Sequence, residues 1–138
     1  MFNVEVIVTT ECNLRCVYCH IKKDKYHITD EEIKSLLNYL SLRTEPYKLS
    51  LYGGEPLLYW DECRKIIEGI YTLSNYSLCS KIEVCTNGVL LKEEIIDFCE
   101  FYNVEIQVSF DAYHTDKTRP HVSGIKLSSF YKKLFHLY

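Results

Sequence analysis

The feature that most constrains the fold is the alternation of short strand-like segments with amphipathic helical segments along the 138-residue chain. The strand-like segments alternate apolar and polar side chains, whereas the helical segments repeat apolar side chains at i, i+3, i+4 and i+7. Strands and helices that alternate in this way are typical of βαβ units with parallel strands. We therefore predict one α/β domain over residues 1–138, built on a parallel sheet of about four βα units.

Four segments show the strand pattern and four show the helix pattern. The predicted strands are Phe2–Thr9, Lys48–Tyr52, Lys81–Cys85 and Val104–Phe110. The predicted helices are about Asp30–Leu42, Asp61–Leu73, Lys92–Tyr102 and Ser123–Tyr138. Thr29 and Glu32 form a capping-box pattern, which predicts where the first helix begins.

Successive side chains of a strand point to opposite faces of the sheet, so the same pattern predicts two different faces. One face is apolar and is formed by Val4, Val6, Val8, Leu49, Leu51, Ile82, Val84, Val104, Ile106 and Val108. The other is polar and is formed by Glu5, Thr9, Ser50, Tyr52, Glu83, Cys85, Glu105, Gln107 and Ser109. A parallel sheet covered by helices on both sides is apolar on both faces. We therefore expect the helices on the apolar face, while the polar face either lines a cavity or faces solvent.

Charge and hydropathy exclude several classes of protein. The formal net charge is −3, so strong electrostatic attraction to nucleic acid or anionic lipid is not expected. No apolar run approaches the roughly 20 residues of a membrane helix. The first ten residues lack the basic and apolar regions of a secretory signal. We expect a cytoplasmic protein that binds neither nucleic acid nor membrane.

The seven cysteines are an odd number and cannot all pair within one chain. Cys12, Cys16 and Cys19 fall within one stretch of eight residues, directly after the first predicted strand. Binding sites collect at the carboxyl ends of parallel strands, so these three thiols are candidate metal ligands. The remaining cysteines are scattered and are interpreted as small apolar core residues: Cys63, Cys79, Cys85 and Cys99.

Three thiolates on one loop are compatible with more than one metal centre. A structural zinc ion needs four protein ligands, of which His20 or another cysteine would be the fourth. A ferredoxin cluster uses four thiolates, and no fourth cysteine stands near the other three. Three ligands on a four-iron cluster would leave one iron open, and an open coordination site is a feature of catalytic centres.

The sequence Cys12–Cys19, with aromatic Tyr18 before the last cysteine, resembles the CxxxCxΦC signature of the radical S-adenosylmethionine (SAM) superfamily. The GGEP sequence at Gly53–Pro56 resembles the peptide- and protein-modifying branch, which includes the anaerobic sulfatase-maturating enzymes. Thr86–Gly88 and Ser109–Asp111 also look like strand ends of the family. The resemblance implies a partial (βα)6 TIM-like barrel, of which this chain would be a truncated part.

The resemblance also implies a cofactor and a set of ligands. Cys12, Cys16 and Cys19 would hold a [4Fe-4S] cluster whose fourth iron binds SAM. The residues implied to contact SAM are Tyr18, Gly53, Gly54, Glu55, Ser109, Asp111 and Arg119. Among them, the loop 53–55 would receive the SAM ammonium group, and Arg119 would pair with the SAM carboxylate.

Tyr18 would lie beside the adenine, and Ser109 and Asp111 near the ribose or the carboxylate. Members of the family reduce the cluster, cleave SAM to methionine and a 5′-deoxyadenosyl radical, and use the radical to abstract a hydrogen atom. The resemblance therefore implies an oxidoreductase that acts on a peptide or protein and receives electrons from a donor such as flavodoxin or ferredoxin. The alternatives are a non-catalytic iron–sulfur or zinc protein, in electron transfer or scaffolding, and a partner-binding module without a cofactor.

Four βα units are fewer than the family barrel contains. The chain would then be a truncated or split enzyme, a fragment of a longer enzyme, or a small stand-alone variant. A homodimer or a second chain would complete the barrel of a split enzyme. The fourth strand would have an unpaired edge, and we expect the aromatic-rich helix Ile125–Tyr138 either to cover that edge or to bind a partner.

Overall fold

The structure is a computed structural model that describes residues 2–136, without the side chains of residue 113 and residues 133–136. The strands are β1 (Phe2–Thr9), β2 (Tyr47–Gly53), β3 (Cys79–Thr86) and β4 (Val104–Val108). The α-helices are α1 (Asp30–Ser41), α2 (Trp60–Tyr71), α3 (Glu93–Phe101), α4 (Thr115–Thr118) and α5 (Leu127–His136). Short 3-10 helices lie at Pro56–Tyr59, Tyr76–Leu78 and Ala112–His114.

The four strands form one sheet in the order β1-β2-β3-β4, and all neighbouring pairs are parallel. A helix separates each strand from the next because a parallel neighbour can only be reached through a crossover connection. The carboxyl ends of all four strands therefore lie along one edge of the sheet. The predicted α/β fold with four parallel strands is confirmed. Within residues 2–136, no helix combines the length and the apolar character that crossing a bilayer requires.

The apolar face of the sheet packs against the helices, as the period-two pattern predicts. Leu49 and Leu51 of β2 are fully buried, and so are Ile66 and Ile67 of α2. They belong to one hydrophobic core that also contains residues of α1 and α3. Two of the scattered cysteines, Cys63 and Cys99, are buried in this core, as predicted.

The opposite face of the sheet is polar, and its side chains pair across the strands. Ser50 Oγ donates a hydrogen bond to Glu83 Oε1 at 2.6 Å. Lys81 Nζ lies 3.0 Å from Glu83 Oε2 and 2.9 Å from Glu105 Oε2. Because charged groups on this face are partnered and partly solvated, the sheet tolerates one polar face without burying an uncompensated charge.

One residue assigned to the polar face lies elsewhere. Thr9 is fully buried, because the register between β1 and β2 shifts between Ile7 and Thr9. The Thr9 hydroxyl donates to the Tyr26 carbonyl at 2.7 Å. Ile7 is 40% exposed at the surface. A register irregularity of this kind arises between strands and leaves no trace in the alternation of a single strand.

The last helix begins later than predicted, at Leu127 rather than Ser123. Gly124 adopts φ +78°, a conformation that is incompatible with a helix passing through it. Asp116 then supplies the start of α5, since its Oδ1 accepts the backbone N–H of Ser128 at 2.9 Å. The predicted end of this helix, Tyr138, lies outside the described residues.

Helix α5 packs against the loop that follows β1. Leu127 and Tyr131 are buried in a small cluster with Leu14, and Val108 of β4 packs at its border. Within residues 2–136, the outer edge of β4 has no strand partner. Helix α5 contacts this strand at Val108, which is its last residue.

We expect the Ile66→Ala substitution to reduce the free energy of unfolding by about 2–5 kcal/mol, because it leaves a cavity in the fully buried interface between α2 and the sheet. The control is Leu42→Ala, whose side chain is 73% exposed and whose effect we expect within about 0.5 kcal/mol. Urea denaturation followed by circular dichroism measures both. Equal effects at the two positions would contradict the placement of the core.

Candidate functional site

The three clustered cysteines lie on the loop that follows β1, and a distant segment holds this loop in place. Leu14 forms an antiparallel bridge with His121. The backbone N–H of Arg15 donates to the carbonyl of Pro120 at 2.8 Å. No sequence pattern pointed to this role of segment 118–122, because backbone hydrogen bonds between two irregular loops require no particular residue types.

A cavity of about 300 Å³ opens where the carboxyl ends of the strands meet the cysteine loop. The predicted site residues that line it are Cys12, Cys16, Tyr18, Cys19, Gly53, Gly54, Ser109 and Arg119. Two further candidates, Glu55 and Asp111, are absent from this lining. Tyr52 and Cys85 of the polar face also line the cavity. The polar face of the sheet therefore leads into a cavity at this end, which was one of the two interpretations left open.

Each of the three thiols has a different electrostatic surrounding. Burial raises the pKa of Cys12, although its Sγ accepts a backbone N–H at 3.3 Å. Burial also raises the pKa of Cys16, and the positive charge of Arg119 opposes that rise. Burial opposes ionisation of Cys19 as well, but Lys23 Nζ donates to its Sγ at 3.0 Å and the pKa of Cys19 is lowered. Cys19 is therefore the most readily ionised of the three, and the thiolate is the form that binds metal.

The two glycines after β2 are pressed against the exit of β1. A Cβ atom on Gly53 would lie 2.2 Å from the carbonyl oxygen of Thr9, and one on Gly54 would lie 2.0 Å from that of Glu11. Gly53 also adopts φ +135°, which side-chain-bearing residues rarely do. The backbone N–H of Gly54 donates to the Thr9 carbonyl at 2.7 Å. The glycines are therefore required for the loop 53–55 to reach the wall of the cavity.

The side chain of Glu55 is fully buried behind this loop. Its Oε1 accepts the backbone N–H of Leu57 at 3.0 Å and the hydroxyl of Thr86 at 2.7 Å. Its Oε2 accepts the backbone N–H of Asn87 at 2.7 Å. Burial raises the pKa of this carboxyl group, and the three donors act in the opposite direction.

These contacts give Glu55 a structural role, while the contact with SAM that the resemblance implies for it stays a prediction. Both carboxylate oxygens are engaged by protein donors, and the residue lies outside the cavity lining. The carboxylate joins the end of β2 to the end of β3. Contact with the SAM ammonium group remains a prediction for the loop 53–55, in which Gly53 and Gly54 line the cavity with their backbone.

Tyr18, Asp111 and Arg119 form a hydrogen-bonded group at the mouth of the cavity. The Tyr18 hydroxyl donates to Asp111 Oδ2 at 2.7 Å, and Arg119 Nη1 donates to the Tyr18 hydroxyl at 3.1 Å. The Tyr18 hydrogen bond lowers the pKa of Asp111, with burial acting in the opposite direction. Arg119 is 7% exposed. Asp111 therefore positions two residues of the cavity wall, while its own contact with SAM stays a prediction.

Asn87 is a site residue that the sequence reasoning did not single out. Its Nδ2 donates to Asn13 Oδ1 at 2.7 Å and lies 4.0 Å from Cys12 Sγ. Its carbonyl accepts the hydroxyl of Tyr131. Asn87 thus connects β3, the cysteine loop and α5. The Thr86–Gly88 sequence, which looks like a strand end of the family, was the signal from which Asn87 could have been identified.

Cys85 was interpreted as a core residue, and this was wrong. Its side chain lines the cavity, and Sγ donates to Gln107 Oε1 at 3.3 Å across the polar face. The alternation along β3 had already placed Cys85 on that face, so the strand period was the better guide than the residue type.

The comparison with known families decides the identity of the fold. Residues 6–135 match the family described as the Radical SAM superfamily. The chain belongs to the radical SAM superfamily. The resemblance drawn from the cysteine and glycine sequences is thereby confirmed at the level of the family.

Curated relatives of this radical SAM chain are similar in sequence over most of its length. An uncharacterized protein of Methanocaldococcus jannaschii is 31% identical over 120 residues, which is 85% of this chain and 41% of the relative. A probable GTP 3′,8-cyclase of Archaeoglobus fulgidus is 33% identical over 124 residues, which is 85% of this chain and 38% of the relative. The chain thus spans about two fifths of the length of these proteins.

Solved structures resemble this radical SAM chain in fold. Native anSMEcpe with bound AdoMet (SAM) and the Cp18Cys peptide superposes with a TM-score of 0.84 at 20% identity, over 99% of this chain and 39% of the other. BtrN in complex with AdoMet and 2-DOIA superposes with a TM-score of 0.63 at 24% identity, over 81% of this chain and 47% of the other. The fold is therefore part of the radical SAM barrel, as predicted.

The residues of the cavity fit the groups that the family implies. Three thiols suit a [4Fe-4S] cluster with one iron left for another ligand. No three His, Cys, Asp or Glu side chains within the described part of the chain are close enough to hold a single metal ion, and a cluster takes its thiolates at separate corner irons. Arg119 Nε is buried without a hydrogen-bond partner among the described residues, which leaves a cationic donor for an anionic group such as the SAM carboxylate.

We expect Glu55→Ala to destabilise the protein by about 3 kcal/mol or more, because it leaves three donors buried without acceptors, each costing about 1–3 kcal/mol. Glu45→Ala, in an exposed loop, is the matched control and should change stability by less than about 0.5 kcal/mol. Urea denaturation of the apoprotein measures both. A stable Glu55→Ala variant would show that the carboxylate does not join β2 to β3.

Proposed function

We propose that this chain is the SAM-binding part of an enzyme that cleaves SAM reductively and abstracts a hydrogen atom from a peptide or protein. One observation carries the proposal: three cysteines, a double-glycine loop and a buried arginine line a single cavity at the carboxyl ends of parallel strands. Membership of the radical SAM superfamily supports the reductive cleavage of SAM in this proposal.

The cysteine loop would hold the cluster through Cys12, Cys16 and Cys19. When bound and reduced, the cluster supplies the electron that splits SAM into methionine and a 5′-deoxyadenosyl radical. Lys23 stabilises the Cys19 thiolate, and Leu14 fixes the loop by its burial beneath α5. The protein thus supplies three thiols, of which Cys19 is the most readily ionised, on a loop whose backbone is held by hydrogen bonds to segment 118–122.

The remaining cavity residues would orient SAM. Arg119 offers a guanidinium group with a free Nε to the carboxylate, and its position is fixed by Tyr18 and Asp111. Gly53 and Gly54 line the cavity with backbone atoms alone, and their carbonyl groups would receive the ammonium group. Ser109 lines the same cavity and would contact the ribose or the carboxylate.

Two substrate classes have support. A peptide or protein substrate is supported by the GGEP sequence and by the fold likeness to anSMEcpe, whose structure contains a bound peptide. A purine nucleotide is supported by the sequence relatives named GTP 3′,8-cyclase, one of which is 35% identical over 97 residues. We propose the peptide or protein as the first candidate and GTP as the second.

The proposed partners follow from the reaction. Reduction of the cluster calls for an external electron donor such as flavodoxin or ferredoxin. Within residues 2–136 the outer edge of β4 has no strand partner, and the chain covers about two fifths of its relatives. Both facts favour further barrel strands from a longer polypeptide, a second chain or a homodimer over a small stand-alone variant.

The two substrate classes are distinguished by which compound increases the cleavage of SAM to 5′-deoxyadenosine. Reduced protein incubated with SAM and either a cysteine-containing peptide or GTP is assayed for 5′-deoxyadenosine by chromatography. We expect the peptide to raise the yield above the level with SAM alone. An increase with GTP and none with the peptide would establish the second candidate instead.

We expect Cys16→Ala to lower the iron content of anaerobically reconstituted protein from about four per chain to well below one, since two thiolates remain for the cluster. Cys79→Ala is the control, because Cys79 lies outside the cavity and should leave the iron content unchanged. Iron analysis and electron paramagnetic resonance (EPR) spectroscopy measure the result. The proposal fails if Cys16→Ala retains its iron, or if SAM leaves the EPR signal of the reduced cluster unchanged.

We expect Arg119→Gln to weaken SAM binding to the reconstituted protein about tenfold or more, because hydrogen bonds to charged groups contribute about 1.5–3 kcal/mol. Arg64→Gln removes an exposed arginine of α2 and should leave SAM binding unchanged. Isothermal titration calorimetry measures affinity, and urea denaturation shows whether the variant is folded. A folded Arg119→Gln protein with undiminished affinity would refute the assignment.

A further inference from the structure

The side-chain amide of Asn87 lies beside the first of the three clustered cysteines. Asn87 directly follows β3 and is 4% exposed. Its Nδ2 donates to Asn13 Oδ1 at 2.7 Å and lies 4.0 Å from Cys12 Sγ. The roles proposed for the cysteines and for the SAM-binding residues make no use of this amide.

The hydrogen bonds around Asn87 determine which way its amide points. Asn87 Oδ1 accepts the backbone N–H of Val89 at 3.0 Å, which directs the amino group toward Asn13 and Cys12. The reverse orientation would bring two donors together at Val89 and two acceptors together at Asn13. The main chain of Asn87 is fixed as well, since its N–H donates to Glu55 and its carbonyl accepts from Tyr131.

Cys12 Sγ is placed to accept two uncharged N–H donors when it acts as a metal ligand. The backbone N–H of Leu14 donates to this sulfur at 3.3 Å, and Asn87 Nδ2 is the second donor. As a thiol, Cys12 donates to Asn13 Oδ1 at 3.9 Å. The thiolate that binds metal has no proton to donate and can only accept. Asn13 Oδ1 then keeps its donor, Asn87, and the sulfur keeps both of its donors.

Asn13 adds a further donor to the same group. Its Nδ2 is buried and has no hydrogen-bond partner among the described residues. A buried N–H without an acceptor is costly, so an acceptor that arrives with a cluster would be stabilised beside it. The Asn13–Asn87 pair thus places amide donors, and no charge, around Cys12.

We propose that Asn87 is a positioning residue that raises the reduction potential of the cluster through Cys12, an inference that rests on the proposed function. Hydrogen bonds to the sulfur ligands are among the features that set the potential of an iron–sulfur cluster. An N–H donor favours the more negatively charged, reduced state, and its effect is strongest where water is excluded. In the reduction one electron enters the cluster from an external donor, which is oxidised, and no bond forms or breaks.

The test is a redox titration of the anaerobically reconstituted chain with dithionite, followed by EPR spectroscopy. We expect Asn87→Ser to shift the equilibrium about tenfold toward the oxidised cluster, which for one electron is a potential about 59 mV lower. Serine is shorter and no longer reaches Cys12, while its hydroxyl can still accept the Val89 N–H. An unchanged potential in a folded Asn87→Ser protein would overturn the proposal.

Tyr131→Phe is the matched control for a merely structural role. It removes the hydroxyl that donates to the Asn87 carbonyl but keeps the Asn87 amide. We expect it to lower the midpoint of urea denaturation and to leave the potential unchanged. Asn38→Ser, at an exposed position of α1, should change neither. A potential that falls as far in Tyr131→Phe as in Asn87→Ser would show a structural effect alone and would also overturn the proposal.

A second measurement needs no variant and covers the case in which Asn87→Ser does not fold. Wild-type protein labelled with ¹⁵N at its asparagine side-chain amides is reconstituted and reduced. Pulsed EPR then measures the coupling between the electron spin of the cluster and ¹⁵N. We expect a coupling from the amides beside Cys12, and its absence would contradict the role of Asn87.

The proposed function is measured separately, as the effect of SAM on the EPR signal of the reduced cluster. If Asn87→Ser keeps the wild-type potential while SAM alters the signal, the role of Asn87 fails and the proposed function stands. If the potential falls as expected while SAM has no effect on the signal, Asn87 tunes a cluster that does not bind SAM, and the proposed function fails.

Discussion

The buried carboxylate of Glu55 is the interaction on which the site depends. It accepts donors from its own loop and from the end of β3, and so joins two neighbouring strand ends. The same loop is packed on the exit of β1 through Gly53 and Gly54. Three of the four strands are thereby brought together within the wall of one cavity, and an acidic side chain is tolerated in the interior because donors surround it.

This arrangement allows the polar face of the sheet to contribute side chains to a cavity. Helices cover only the apolar face, so the other face carries partnered charges such as Lys81 with Glu83 and remains accessible. At its carboxyl end this face provides Tyr52 and Cys85 to the cavity. The fold therefore separates stability, which resides in the core beneath the helices, from binding, which resides at the strand ends.

The cysteine loop owes its position to contacts with distant parts of the chain. It is held against segment 118–122 by backbone hydrogen bonds, so the three thiols keep a fixed position relative to Arg119, a buried cation that lines the same cavity. Lys23, farther along the chain, donates to Cys19 and also lines this cavity.

The sequence by itself determined the order of strands and helices, the two faces of the sheet and the clustering of three cysteines after the first strand, because side-chain periodicity and thiol spacing are local properties. Only the tertiary structure decided that Glu55 joins two strands, that Thr9 is buried, and that Asn87 lies beside Cys12. These outcomes depend on strand register and on contacts between segments distant in the chain. A single sequence records which residues are present at such positions, but not which distant donor or acceptor each of them meets.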